Sequence, residues 1–514
     1  MLDKNKFANL DFLIRSGQVN HAAREIHLIF TTHKIHDKDK STFANLARRS
    51  GLPLLSLKIL TPLVWQEKHG LRDLNQEEIL SYSAGLIALG AHQEGQELLR
   101  SHDLKTESQR WFFLGISAMN QWEYENAKNY FQYFLSCTDI TSYQRHTASL
   151  NLTTSLLVIG ELDQAIQIIQ KAELSIDPVK EKLLHFYFFE QKVQWLIAKK
   201  KYQEALAKIQ EIQDSVYNLP INYQLTIKKW RLAAAFYAKE LKHEELSRSL
   251  DSLELEAHQR SMPELLREID FYRALFLNDS MAHHRVFFGT GWKTYLKRME
   301  NNLGKADFAK TFEWSPRLWQ KISQNSISMN SIQILHPKYM RNNGLQHKLL
   351  WTLSSDLYRQ QSLGSLFYSL YQDERFDPWT SKDRLLKMIQ RTQHSINAYH
   401  SNEVLKICNT RNRFYLRFDS PLILPYRPHH LQQEIKNEPI LIAIYHKMKF
   451  QLFSNKDIRQ LTGMSESQVY EELAKLSSRR LIDQYHRNGH RMYKISKKTI
   501  HPATEAKTAG NFFA

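Results

Sequence analysis

Small and apolar residues recur at nearly constant intervals in the first half of the chain. Ala127, Ala165, Ala205 and Leu246 are separated by 38, 40 and 41 residues, and each lies in a segment with helical spacing of apolar side chains. A period of this length predicts stacked units, each too small to bury its own apolar face. Because the 514 residues include only 16 Gly and 13 Pro, we expect a mainly α-helical protein.

The most complete copy of the pattern is Trp111-x-x-Leu114-Gly115-x-x-Ala118, followed by Ala127 and Phe131. It resembles the tetratricopeptide repeat, in which Trp, Leu and Gly lie on a first helix and Ala and Phe on a second. The intervals here exceed the roughly 34 residues of that family, so longer helices or loops are expected. The resemblance implies a superhelix, a TPR-like α-solenoid, over residues 1–300.

The concave face of such a superhelix would bind a peptide or a partner protein. The residues expected on that face are Gln109, Phe112, Ile116, Leu150, Thr154, Glu190, Gln194, Lys228 and Arg231. Two other uses stay open for the array: a structural spacer, or a self-association surface that would make the protein a homodimer.

Residues 437–498 show a different order of elements. An apolar helical segment over residues 439–445 precedes a short amphipathic helix that begins at Ser454, and a tight turn at Gly463 follows. Ser465 would cap a second helix, with Val469, Leu473 and Leu476 on its inner face. Two strand-like runs then flank Asn488-Gly489, a strong β-hairpin signal.

Three helices followed by a hairpin resemble the winged helix-turn-helix of bacterial transcription regulators. The resemblance implies a second helix in the major groove of DNA and a wing over the backbone or minor groove. The implied DNA-contacting residues are Ser465, Ser467, Gln468, Lys475 and Arg479 on the helix, and His486, Arg487, Asn488, His490 and Arg491 on the wing. Residues 439–498 contain 12 Lys/Arg and 5 Asp/Glu, which favours a nucleic-acid partner. The alternative is a winged helix used only for protein contacts.

Residues 301–425 repeat this order less clearly. A helix from Ser381 to about Tyr399 would place Leu385, Ile389 and Ile396 inward, and two strands would follow around residues 409–412. A cationic stripe is expected on another face of the helix, formed by Arg384, Lys387, Arg391 and His394. The segment loosely resembles the output domain of bacterial response regulators, which would add Arg384, Lys387, Arg391, Arg411 and Arg413 to the DNA contacts. The alternative is a structural linker domain whose basic stripe is only solvated.

Charge is concentrated in the C-terminal third. The whole chain carries a formal charge of +17, and residues 341–500 contain 26 Lys/Arg and 14 Asp/Glu. We expect a proline-interrupted linker at 426–436 and a flexible tail at 499–514.

Several classes of function lack their sequence signals. The chain has no phosphate-binding glycine motif, no nucleophile elbow and no zinc-ligand spacing, so neither an enzyme nor a cofactor is expected. Cys137 and Cys408 are far apart, which suits a reducing compartment. With no long apolar run, we expect a cytoplasmic protein that does not contact membranes.

These patterns lead to one main hypothesis: a bacterial-type transcription regulator that binds double-stranded DNA through one or two winged-helix domains and receives a signal through its repeat array. The rival is a TPR scaffold whose winged helices mediate protein–protein contacts. Binding to RNA is a third possibility.

Overall fold

A computed structural model describes most of the chain. The described residues are 4–66, 70–71, 76–101, 108–178, 181–212, 221–304, 333–334, 344–372, 374–399, 405–410, 412–418, 422–423, 452–462, 464–478, 481–487 and 490–495. The predicted helix at 439–445, linker at 426–436 and tail at 499–514 lie outside them. The chain forms two compact units, one of residues 1–261 with 362–385 and the other of residues 262–361 with 386–514.

Helices account for most of the first unit, and they follow one another in pairs. They are α1 (Lys4–Arg15), α2 (Val19–Thr32), α3 (Asp37–Arg49), α4 (Pro53–Val64), α5 (Gln76–Leu89), α6 (His92–Ser101), α7 (Gln109–Asn120), α8 (Tyr124–Ser136), α9 (Ser142–Ile159), α10 (Leu162–Ser175), α11 (Lys182–Ala198), α12 (Tyr202–Glu211), α13 (Ile221–Tyr237) and α14 (His243–Gln259). Each helix packs on the next, and each odd-numbered helix up to α11 also packs on the following odd-numbered one. The described helices therefore form a stack of seven hairpins.

The recurring small and apolar residues lie on the buried faces of the second helices of four hairpins. Ala127, Ala165, Ala205 and Leu246 are fully buried. In the α7–α8 hairpin, a Cβ at Gly115 would lie 2.7 Å from the ring of Phe131, so a larger side chain would push the helices apart. The residues of the predicted pattern from Leu114 to Phe131 that are buried include Leu114, Ala118, Ala127 and Phe131. Small residues are needed where two helices cross at short distance.

The seven hairpin turns share one backbone geometry. Each contains a residue with positive φ, and these are Gly17, Gly51, Gly90, Trp122, Gly160, Lys200 and Lys239. The amide of the residue after each one donates to a carbonyl five positions earlier, as Lys201 does to Leu196 at 2.8 Å and Glu161 to Leu156 at 2.9 Å. This is the Schellman ending of a helix, which satisfies otherwise unpaired carbonyls.

A later segment of the chain completes the first unit. Helix α19 (Leu363–Leu370) packs on α5, and a Cβ at Gly364 would lie 2.5 Å from the amide nitrogen of Ala91. Ser365 Oγ donates to the Gly90 carbonyl at 3.0 Å. Residues 362–385 are therefore grouped with the repeat helices, although their sequence belongs to the predicted 301–425 domain.

The second unit contains the remaining helices and most of the strands. Its helices are α15 (Pro263–Leu277), α16 (Ser280–Gly289), α17 (Lys293–Leu303), α18 (Leu345–Ser354), α21 (Asn455–Thr462) and α22 (Glu466–Ser478), together with the second half of α20 (Ser381–Tyr399). None of the described helices in either unit is long and apolar enough to cross a bilayer.

The strands are short and mostly antiparallel. They are β1 (Trp65–Gln66), β2 (Gly70–Leu71), β3 (Gln333–Ile334), β4 (Gln361–Ser362), β5 (Leu405–Thr410), β6 (Arg413–Phe418), β7 (Leu422–Ile423), β8 (Phe453–Ser454), β9 (Ile482–Arg487) and β10 (His490–Ile495). β1 pairs with β2, and β3 pairs with β7 in parallel. Two three-stranded sheets have the orders β4-β6-β5 and β8-β10-β9. The protein is thus mainly helical, as predicted, with small sheets toward the C-terminus.

A buried ionic cluster holds α15 against the segment after α18. Arg267 donates to Asp356 at 2.8 Å, and the amides of Gly291 and Tyr358 donate to the same carboxylate at 2.8 and 2.9 Å. Next to this pair, Asp270 accepts hydrogen bonds from Arg285 and from the Tyr358 hydroxyl. The carboxylates have hydrogen-bond partners, as charged groups at this depth require.

Candidate nucleic-acid interface

Two segments of the chain have the same order of elements: a short strand, two helices and a hairpin. The first runs from β4 through α19, α20, β5 and β6, and the second from β8 through α21, α22, β9 and β10. In both sheets the last strand lies in the centre. The shared order makes the exposed residues of the second helix and the hairpin comparable between the segments.

Helix α20 begins and ends where the sequence predicts. Leu385, Ile389 and Ile396 are buried as expected, because they recur on one face of the helix. The four residues of the expected cationic stripe are exposed: Arg384, Lys387, Arg391 and His394.

Arg384 differs from the rest of the stripe because it has partners nearby. It forms a bidentate ion pair with Glu374, and its guanidinium lies 3.9 Å from the ring centroid of Tyr371. The hydrogen bond from Arg384 lowers the pKa of Glu374, and the same contact raises the pKa of Arg384. Lys387, Arg391 and His394, by contrast, form no ion pair with any described side chain. The positive charges of Lys387 and Arg391 therefore remain available to an anionic partner.

The β5–β6 hairpin is basic on one face only. Its register pairs Lys406 with Arg417 and Thr410 with Arg413, so the three basic side chains lie on the same face. The opposite face carries the buried Leu405, Phe414 and Leu416. Residues 405–418 contain no Asp or Glu. Arg411, which the sequence also predicts as a contact, lies outside the described residues.

One glutamine fixes the helix to this hairpin. The side-chain amide of Gln393 donates to the Leu405 carbonyl at 2.8 Å and accepts from the Ile407 amide at 2.9 Å. The Gln393 side-chain amide thus bonds a backbone carbonyl and a backbone amide of β5, as the main chain of a neighbouring strand would. Sequence reasoning missed this residue, because a glutamine in an amphipathic helix gives no signal of a tertiary partner.

The C-terminal segment has the predicted core. Val469, Leu473 and Leu476 are buried on the inner face of α22, together with Ile458 and Tyr493. Ser454 caps α21, since its hydroxyl accepts from the Asp457 amide at 3.3 Å while the Asp457 carboxylate accepts from the Ser454 amide at 2.7 Å. This reciprocal pair is a capping box.

The predicted contacts at the start of α22 also take part in a cap. Ser465, Ser467 and Gln468 are all exposed. The Ser465 hydroxyl accepts from the Gln468 amide at 3.4 Å, and Gln468 Oε1 accepts from the Ser465 amide at 3.1 Å. The amino group of the Gln468 side chain donates to no described residue, so it can still reach a ligand.

The exposed face of α22 is more acidic than that of α20. Glu466, Glu471 and Glu472 occur on the same helix as its one cation, Lys475. Lys475 pairs with Glu472 at 2.7 Å, and Arg459 of α21 pairs with Glu466 at 3.1 Å. Carboxylates near the expected groove face repel phosphates, which makes this segment the less favourable of the two for DNA.

The β9–β10 hairpin of the C-terminal segment is described only in part. Arg491 is exposed and lies opposite His486 in the β9–β10 register. The side chains of His486, Arg487 and His490 lie outside the described part of the structure, as do Arg479 and Asn488 entirely. Their predicted roles stay predictions.

Within the described residues, no group of three or more His, Cys, Asp and Glu side chains is placed to hold a metal ion. No protein-family profile matches the chain, and no curated protein matches it either.

Proposed function

We propose that this protein is a DNA-binding transcription regulator whose α20 helix and β5–β6 hairpin contact the duplex. In this proposal the two strand–helix–helix–hairpin segments are winged helix-turn-helix domains, and the hairpin stack is a TPR-like array that receives a partner. The observation that carries it is the set of exposed cations without a described ion-pair partner on α20 and the hairpin: Lys387, Arg391 and Arg413. A helix with a hairpin wing is a common shape for groove and phosphate contacts.

In this proposal the α20 segment is the primary DNA contact, whereas the sequence alone favours the C-terminal segment. The charge surplus of residues 439–498 favours the C-terminal segment, but Glu466 and Glu471 of α22 are exposed. Phosphate contacts supply most non-specific affinity, so the segment with cations free of described carboxylates is the better primary contact. The C-terminal segment would then add specificity through polar groups such as the Gln468 amide.

The test is a fluorescence-anisotropy titration of the full chain with a labelled random-sequence duplex at several salt concentrations. We expect affinity to fall as salt rises, with a log–log slope that Lys387→Ala/Arg391→Ala reduces by about 2, since each phosphate contact contributes about 0.9. Lys34→Ala/Lys171→Ala removes two exposed lysines from the repeat array and should leave the slope unchanged.

Three outcomes would count against the proposal. They are the absence of salt-dependent duplex binding, equal slopes for wild type and the α20 double variant, and tighter binding of single-stranded RNA than of duplex. Arg487→Ala/Arg491→Ala in the same titration measures the contribution of the second wing.

A second candidate function rests on the same glutamates. An exposed helix face with the carboxylates of Glu466 and Glu471 suits a basic protein surface better than a phosphate backbone, which favours a TPR scaffold whose C-terminal segment contacts other proteins. If the duplex does not bind, this scaffold is the function to pursue, with Glu466→Gln/Glu471→Gln as the variant that should weaken partner capture.

A further inference from the structure

The first unit contains a cavity of about 530 Å³ between the end of α1 and the facing surfaces of α9 and α11. The Arg15 guanidinium lies 4.4 Å from the ring centroid of Tyr143 at its rim. A volume of this order is typical of sites for small molecules and short peptide segments. Four residues expected on the concave face of the array line it: Leu150, Thr154, Glu190 and Gln194.

Amide and hydroxyl side chains form much of the cavity wall. Gln191, which is 5% exposed, donates through Nε2 to the Leu150 carbonyl and to Thr154 Oγ1, both at 2.8 Å. Its Oε1 accepts no hydrogen bond from the described residues. A buried acceptor of this kind is suited to a donor on a ligand, such as a peptide N–H.

A carboxylate in the wall is held in a fixed orientation. Glu190 Oε1 accepts from Gln194 Nε2 at 2.8 Å and from Trp230 Nε1 at 3.1 Å. The other oxygen, Oε2, accepts nothing from the described residues. The second lining carboxylate, Glu181, lies 2.8 Å from His146 Nδ1. Arg15, the one cation among the described lining residues, is paired with Asp11 at 2.7 Å.

Aromatic rings complete the site. Tyr143 and Tyr187 line the cavity, and the Tyr187 hydroxyl is 2.6 Å from that of Tyr223. Burial raises the pKa of Tyr187 well above its ordinary value, so the phenol stays neutral. Neutral aromatic rings close to a carboxylate attract cations.

We propose that this cavity binds a short peptide through a lysine or arginine side chain, whose charge Glu190 receives, while Gln191 bonds the peptide backbone. The inference rests on the proposed function in one respect, that the hairpin stack is the part of the regulator that binds a partner. It adds that this partner is a peptide with a basic side chain.

The probes are two dye-labelled heptapeptide pools with random flanking residues, one with Lys and one with Glu fixed at the centre. Titrated into the full chain, the Lys pool should bind at least about tenfold more tightly, as one charge-assisted hydrogen bond allows. Glu190→Gln keeps the size of the side chain and should reduce the preference to less than about threefold. Glu204→Gln, an exposed carboxylate of α12, is the matched control and should preserve it.

Circular dichroism and thermal midpoints of all variants establish that the array is folded. Equal binding of the two pools, binding of neither, or an unchanged preference in Glu190→Gln overturns the inference. The duplex titration on the same preparations separates the two proposals. A chain that binds DNA but no pool rejects the cavity alone, and a chain that binds the Lys pool but no DNA rejects the regulator alone.

Discussion

At the scale of single residues, the hairpin turns show where the chain accepts backbone strain. Four of the seven positive-φ positions are glycine, but three are Trp122, Lys200 and Lys239. A residue with a Cβ pays for the left-handed conformation that glycine adopts freely. The array tolerates this cost because packing of the adjoining helices holds each turn in place.

We therefore expect Lys200→Gly to stabilise the α11–α12 hairpin by about 0.5–1 kcal/mol, the net of relieved strain and greater unfolded-state entropy. Native-state hydrogen exchange of the α11 and α12 amides measures the change. The control is Lys199→Gly, at a neighbouring residue with φ of −84°, which should lower stability. A loss at both positions would show that strain at Lys200 is negligible.

At the scale of elements, buried ion pairs fix the relative positions of helices more specifically than non-directional hydrophobic packing does. The Arg267–Asp356 pair joins α15 to the segment after α18, with both side chains at most 4% exposed. Burial raises the pKa of Asp356, and Arg267 opposes that shift. Removing one partner leaves the other charge buried without compensation.

Arg267→Met should destabilise the second unit by about 3–5 kcal/mol. Arg267→Met with Asp356→Asn should cost less than the sum of the single variants, because no charge is then left unpaired. Hydrogen-exchange protection of the α15 amides measures the stability of the four proteins in this double-mutant cycle: wild type, the two single variants and the double variant. Additive losses would mean that the residues act independently.

Elements could be predicted from the sequence where the interactions that form them are local along the chain. Helix α20, the buried faces of α20 and α22, and the presence of two strands around residues 409–412 were accessible, because periodicity, caps and turn residues act within a few positions. The Gln393 bridge and the pairing of Arg384 with Glu374 were not, because they depend on which side chains come together in three dimensions.

At the scale of the molecule, the chain returns to its first unit after about a hundred residues. Glu94 of α6 accepts hydrogen bonds from the Tyr368 hydroxyl and from the Phe376 amide, the latter at 3.1 Å and 282 positions away. Arg375 lies 3.9 Å from the ring centroid of Trp65 in the same region. These contacts tie residues 362–385 to the repeat helices.

This tie should weaken as pH rises. Burial is the main cause of the raised pKa of Glu94, and hydrogen bonds from Tyr368 and Phe376 only partly oppose it. Its contribution to stability is full below the unfolded-state pKa and is lost as pH rises through the higher folded-state value. The thermal midpoint of wild type relative to Glu94→Gln should therefore fall as the pH rises above about 4.

Glu97→Gln, which changes an exposed carboxylate, is the control. The difference in thermal midpoint between wild type and Glu97→Gln should stay nearly constant with pH. A flat difference for Glu94→Gln as well would mean that water reaches the carboxylate.

The sequence by itself determined the helical class, the buried positions of the pattern from Leu114 to Phe131 and the inner faces of the second helices in both strand–helix–helix–hairpin segments. Those features follow from local spacing, which the 3.6-residue helical period and the steric demands of close helix crossings decide. Only the tertiary structure decided that residues 362–385 pack with the repeats, that Glu472 pairs with Lys475, the one cation of α22, and that Glu190 and Gln191 line one cavity. These features depend on contacts between side chains that the fold brings together, and such contacts leave no periodic pattern in the sequence.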